Sequence, residues 1–251
     1  MRSVAGKGFS AMEVQFVRQA RMDATKALEA GRAAQELGVV LSAHAPYYIN
    51  FFSANRETRE KSLDWVLKSV RLCHLLGAWV VVVHAASYSG GSPKECTVAV
   101  KEAMTRCIQH MQEESIGDVK LGLETMGKKG SWGTLQEIAE VMDEVEGVVP
   151  VLDFAHIHAR NGGGLRSGHD FEEVLDDLAS FYRGRLHCHF SCIEFTGQGE
   201  RRHLPLSAMQ PDYRPLVKLL RQRATEATLI SETPPPEDGA KQMLRLLRAK
   251  L

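Results

Sequence analysis

Short apolar, β-branched runs alternate with longer amphipathic segments from one end of this chain to the other. Seven runs have the length and composition of strands: MEVQFV (12–17), VVLSAHA (39–45), WVVVVHA (79–85), VKLGLET (119–125), VVPVLDFAH (148–156), RLHCHFS (185–191) and TLISET (228–233). Between them the apolar positions recur at helical spacing in segments 24–38, 56–77, 92–111, 134–145, 170–182 and 237–251. Gly38 and Gly77 stand where helices end, and Ser92-Pro93 reads as an N-cap followed by proline at the first helical position. Near-continuous apolar strands separated by helices predict a parallel sheet covered on both faces. Repeated every 30 to 40 residues or so, that pattern predicts a (β/α)8 TIM barrel. The segment before MEVQFV is too short for a further strand, helix and two loops, so the expectation is a single TIM-barrel domain over residues 1–251 that lacks the first β-strand and helix.

Composition narrows the picture without naming a partner. Lysine plus arginine and aspartate plus glutamate are 31 each, so no global field draws the chain to nucleic acid or an anionic membrane. No apolar run approaches the roughly 20 residues of a membrane span, and the N-terminus lacks a signal-peptide core. The five cysteines form no CxxC pair, which points to reduced thiols and a cytoplasmic protein.

Candidate chemistry lies at the strand ends. His44, His84, Glu124, Asp153 with His156, His187 with His189, and Glu232 close six of the seven predicted strands, and the segment after RLHCHFS adds Glu200 and His203. In a parallel barrel the C-terminal strand ends share one rim. Clustered carboxylates need nearby positive charge, and bound cations supply it. Imidazole and carboxylate without cysteine suit zinc or manganese. About nine donors exceed the needs of a single ion and suggest two or three, the apparatus of phosphate-ester displacement. His158 is a reserve ligand or an orienting partner and His189 a reserve ligand, while His74, His110 and His169 fall on helix or loop positions and are expected to be structural or solvated.

In order along the chain, HAPYYIN (44–50), VVVHAAS (81–87), GLETMGKKGSWG (122–133), LDFAHIHARNGG (152–163), HCHFS (187–191) with GERRHLPL (199–206), and SETP (231–234) resemble endonuclease IV, the zinc-dependent apurinic/apyrimidinic endonuclease family of the xylose isomerase-like barrels. The resemblance implies a three-zinc centre in which Glu124 bridges two ions. His44 and His84 would complete the first, Asp153, His187 and Glu232 the second, and His156 and His203 the third. It also implies that metal-bound hydroxide cleaves DNA 5′ to abasic sites in base excision repair, with Glu124 and Glu232 as the catalytic carboxylates. The family pattern H-x-N-D-S becomes HCHFS here, and D-R-H becomes Arg201-Arg202-His203, so Glu200 is the candidate third carboxylate.

The implied partner is damaged double-stranded DNA with abasic sites, bound by a monomer. Arg21, Lys128, Lys129, Arg160, Arg166, Arg201 and Arg202 make the predicted rim more basic than the chain as a whole. Tyr47 and Trp132 are the aromatic candidates to stack or wedge at a flipped nucleotide, with a core cover over the barrel mouth the equal alternative for Trp132, and Arg21 and Arg202 are the candidates for phosphates. The competing reading is a sugar isomerase or epimerase that uses divalent metal and glutamate acid/base residues. A third is a metal- or DNA-binding module without turnover.

Overall fold

The computed structural model describes residues 1–223 and 225–249, and the chain divides into two compact units, Met1–Glu124 with Trp132–Val149 and Thr125–Ser131 with Pro150–Leu251. In the first unit the order is α1 (Arg2–Gly6), β1 (Ala11–Gln15), α2 (Ala24–Glu36), β2 (Val40–His44), α3 (Arg56–Leu76), β3 (Val80–Val83), α4 (Pro93–Glu113), β4 (Lys120–Glu124) and α5 (Leu135–Glu144). The four strands are parallel neighbours in sequence order, with Gln15 opposite His44, His44 opposite Val82, and Val83 opposite Leu123. All four valines of β3 are buried, as expected for a strand with covered faces.

Local chemistry marks the helix boundaries. Asp23, Asn55, Ser92 and Thr134 cap α2, α3, α4 and α5 through their side chains, and Ser92 and Thr134 form reciprocal capping boxes with Glu95 and Glu137. Gly77 ends α3 in the left-handed conformation. The short α1 was not marked by the apolar pattern.

β5 (Val148–Asp153) starts at the end of the first unit and runs into the second, followed by α6 (Phe154–Arg160), α7 (Gly168–Phe181), β6 (Leu186–Phe190), β7 (Cys192–Thr196), β8 (Gly199–Leu204), α8 (Arg214–Gln222), β9 (Ala227–Ser231) and α9 (Pro236–Arg248). β5, β6 and β9 are parallel, with Asp153 opposite His189 and His189 opposite Ile230, while β7 and β8 form a separate antiparallel hairpin.

All seven expected strands are present. Three features differ. The run VVPVLDFAH is not one strand, because Asp153 accepts a hydrogen bond from the His156 N–H and so caps α6. The segment holding Glu200 and His203 is a hairpin rather than a loop, and α8 precedes the last strand. The expected helix 237–251 ends at Arg248, and its final two residues lie outside the described residues. No helix among the described residues is long and apolar enough to cross a membrane.

Candidate metal centres

In the first unit, β2 ends in His44, β3 is followed by His84 and β4 ends in Glu124. Parallel pairing brings these ends together: the Nε2 atoms of His44 and His84 lie 3.3 Å and 2.7 Å from Glu124 Oε2. His44 and Glu124 are buried. The Nδ1 of His44 is 2.8 Å from the Ala45 carbonyl. A carbonyl only accepts, so Nδ1 carries a proton and a neutral ring turns its Nε2 lone pair toward the carboxylate. Lone pairs so opposed require a proton or a metal cation between them. Tyr47 packs its ring 5.0 Å from that of His44 and 5.5 Å from that of His84, and its hydroxyl donates to Gln15 Oε1. Tyr47 is 44% exposed.

The second unit holds two further groups. Ligand atoms of Asp153, His189 and Glu232 lie within 4.8 Å of one another. Asp153 is fully buried: Oδ1 accepts the His156 N–H at 2.8 Å, whereas Oδ2 has no hydrogen-bond partner. A buried carboxylate oxygen left unsatisfied is costly, and a coordinated cation removes that cost. This orphaned atom, within reach of one imidazole and one carboxylate, fits a divalent metal with nitrogen and oxygen ligands.

The other group is His156, Glu200 and His203, whose ligand atoms also lie within 4.8 Å of one another. His156 donates from Nδ1 to the Thr125 carbonyl at 2.9 Å and sets Nε2 3.5 Å from Glu200 Oε2. His203 Nε2 is 4.0 Å from Glu200 Oε1. Glu200 and His203 are three residues apart, whereas side chains on a regular strand share a face at even spacing. A bulge resolves the mismatch. Glu194 pairs with Arg202 and Phe195 with Glu200, so Arg201 is the extra residue and the alternation shifts by one. The carboxylate is further set by backbone crowding, since a Cβ on Gly127 would stand 2.7 Å from Glu200 Cβ and 3.0 Å from His156 Cδ2.

The structure thus places the expected ligands in compact groups, with one change of partner. His189, expected only as a reserve ligand, joins Asp153 and Glu232. His187 lies two residues nearer the start of β6, opposite Val151, and stacks edge-on against His189 at 5.5 Å. His158 stands outside these groups: its Nδ1 accepts the Leu165 N–H at 3.2 Å, its ring abuts Phe195, and burial lowers its pKa. Cys188 and Cys192 are buried thiols, with burial pushing Cys188 up to about 12 and raising Cys192, and neither joins a ligand group among the described residues.

One DNA-contact expectation is corrected. Trp132 is fully buried and donates from Nε1 to Thr97 Oγ1 at 2.9 Å, so it belongs to the core and presents no face for stacking. Arg202 is exposed but bonds Glu194 at 2.6 Å, and Arg201 bonds the same carboxylate, so both charges are partly offset. Arg160 spends one terminal nitrogen on the carbonyls of Lys128 and Ser131. Arg21 is exposed in the β1–α2 loop, as are Lys128 and Lys129 after β4. Asn50 was not singled out by sequence, yet it accepts the Phe52 and Ser87 N–H groups and donates to Ser87 Oγ, tying the loop of Tyr47 to the one after His84.

A sequence model of the xylose isomerase-like TIM barrel family matches residues 1–250. This chain belongs to that family. An uncharacterised protein of Methanocaldococcus jannaschii is 28% identical to this xylose isomerase-like barrel over 239 residues, 94% of this chain and 86% of the relative. A probable endonuclease 4 of Acholeplasma laidlawii is 27% identical over 242 residues, 91% of this chain and 80% of the relative. Among solved structures, endonuclease IV from Thermus thermophilus has a TM-score of 0.76 at 22% identity, covering 98% of this chain and 91% of its own. A D-tagatose 3-epimerase-like protein has 0.74 at 17%, covering 98% and 92%. Seven parallel strands alternating with helices are the TIM-barrel fold of this family. The two structural likenesses are so close that fold alone does not separate nuclease from epimerase.

Proposed function

We propose that this chain is a metal-dependent phosphodiesterase that incises damaged double-stranded DNA 5′ to abasic sites. The observation that carries the reading is the wealth of inner donors: His44, His84 and Glu124 in one unit, and Asp153, His189 and Glu232 beside His156, Glu200 and His203 in the other. A proton-transfer centre works with about four ligands, whereas phosphoryl displacement uses two or more ions. Relatives named probable endonuclease 4 support the same choice.

These nine residues would hold zinc, with manganese the alternative. Bound metal would supply Lewis acidity to a phosphate oxygen and acidify a water molecule. The chain's own groups do the rest. The Ala45 and Thr125 carbonyls hold the His44 and His156 rings in the tautomer that frees Nε2. Tyr47 presents an exposed ring beside His44 and His84 on which an unstacked sugar or base can rest. Exposed Lys128, Lys129 and Arg21 offer charge to flanking phosphates.

The test is incision of a duplex carrying one abasic-site analogue, with protein stripped of metal and reloaded with zinc or manganese, and a parallel assay of ketohexose epimerisation. Metal-dependent cleavage 5′ to the lesion is expected. Epimerisation without cleavage by the folded, metal-loaded protein overturns the reading.

A further inference from the structure

We propose that Ser191 is the positioning residue for His203, holding that ring so that Nε2 faces Glu200 and completes the His156–Glu200–His203 group. The inference rests on the metal-centre reading above. His44, His156 and His203 are held through Nδ1 in two ways. His44 and His156 direct Nδ1 at backbone carbonyls, at 2.8 Å and 2.9 Å. Those oxygens accept only, so the ring tautomer is imposed by the backbone. His203 directs Nδ1 at the Ser191 hydroxyl, 2.7 Å away. A hydroxyl both donates and accepts, so here the tautomer rests on a side chain that a single substitution removes.

The hydroxyl is well placed for the task. Ser191 is fully buried between β6 and β7, and its carbonyl accepts the Tyr213 hydroxyl at 2.8 Å, which fixes the backbone that presents Oγ. Glu232 Oε2 lies 3.8 Å from His203 Nδ1, beyond hydrogen-bond distance. His203 is also the most exposed of the three ligands in its group, with a quarter of its side chain accessible against 3% for His156 and 16% for Glu200. Packing therefore restrains it least, and the Ser191 bond carries more of its orientation. With Oγ accepting from Nδ1–H, the Nε2 lone pair points at the space shared with Glu200 and His156. Outer hydrogen bonds of this kind are worth roughly 10- to 100-fold in metal affinity.

The experiment compares wild type with Ser191→Ala, Ser191→Cys and Ser191→Thr. The first readout is histidine tautomer by long-range nitrogen–proton correlation in metal-free, 15N-labelled protein. The second is zinc affinity by chelator competition. In wild type His203 should carry its proton on Nδ1. In the alanine and cysteine variants it should shift toward the Nε2–H form, one zinc equivalent should bind about 10-fold or more weakly, and threonine should restore both. Cysteine fills the space of serine, so it keeps the test intact if alanine fails to fold. An unchanged His203 tautomer with unchanged zinc affinity in a folded variant overturns the proposal, as does a wild-type ring protonated on Nε2. The tautomer is read without metal or DNA, so a protein that binds zinc but cleaves no DNA would end the nuclease reading and leave Ser191 to be judged by its own result.

Discussion

Asp153→Asn separates a metal ligand from a structural carboxylate by the sign of its effect. In the folded chain Oδ1 caps α6 through the His156 N–H, and Oδ2 is buried with no hydrogen-bond partner. Asparagine caps a helix as well as aspartate does, so the first interaction survives. The second atom becomes an amide nitrogen without charge, and Glu232, whose ligand oxygen lies within 4.8 Å of the Asp153 one, is an available acceptor. An unsatisfied buried polar atom costs about 1–3 kcal/mol, more if charged. Metal-free Asp153→Asn should therefore be more stable than metal-free wild type by about that amount, a rise in Tm of roughly 2–4 °C per kcal/mol for a chain of this size. Saturating zinc should reverse the order, because wild type gains binding free energy that the variant cannot recover. Differential scanning calorimetry with and without zinc reads both signs. A metal-free variant less stable than wild type would show that Oδ2 has a structural partner and that the orphaned-ligand argument is wrong.

Gly127→Ala should cost about 1–3 kcal/mol by overpacking and weaken zinc at the His156–Glu200–His203 group, because the new Cβ meets Glu200 Cβ at 2.7 Å; an unfolding midpoint and zinc affinity equal to wild type would contradict it. Glu194→Gln should free Arg201 and Arg202, tighten DNA binding and steepen its log–log salt slope by up to about 2, read by fluorescence anisotropy; an unchanged slope would place the hairpin away from the phosphates. Burial lowers the pKa of His158, so the unfolded chain takes up that proton first as pH falls. The stability carried by the neutral ring is then complete above about pH 6.5 and lost as pH drops toward the lowered folded value. His158→Gln should flatten the fall in urea midpoint between about pH 7 and pH 5, and identical profiles would remove His158 as a contributor.

The strands were legible because each is a short apolar run bounded by turn residues, and β3, four valines followed by a histidine, is the plainest case. His44, His84 and Glu124 were legible for the same reason, since parallel strands put their last residues at one end. What the pattern could not reveal depended on contacts made across the sequence. Asp153 looked like one residue inside a longer strand, because nothing in VLDFAH marks a cap until the His156 N–H folds back on it. Trp132 lies in a glycine-rich stretch that reads as an exposed loop, yet Thr97 and the Ala86 carbonyl hold it in the core. The choice of His189 over His187 beside Asp153 turned on strand register, which two histidines at even spacing leave undetermined. Ser191 carried no signal of its own, since a serine ending a strand is ordinary until a ring nitrogen is found at its hydroxyl.

The bulge at Arg201 bears on how such sites are recognised in other chains. A carboxylate and an imidazole two positions apart on a flat ribbon and three positions apart on a bulged one reach the same side, so the spacing along the chain can change while the chemistry stays. Column-by-column comparison would set Arg201 against the acidic position and score the site as lost. Allowing one position of slack in the spacing keeps Glu200 and His203 as a ligand pair. The hairpin absorbs a change of length that a rigid motif would read as a broken ligand set.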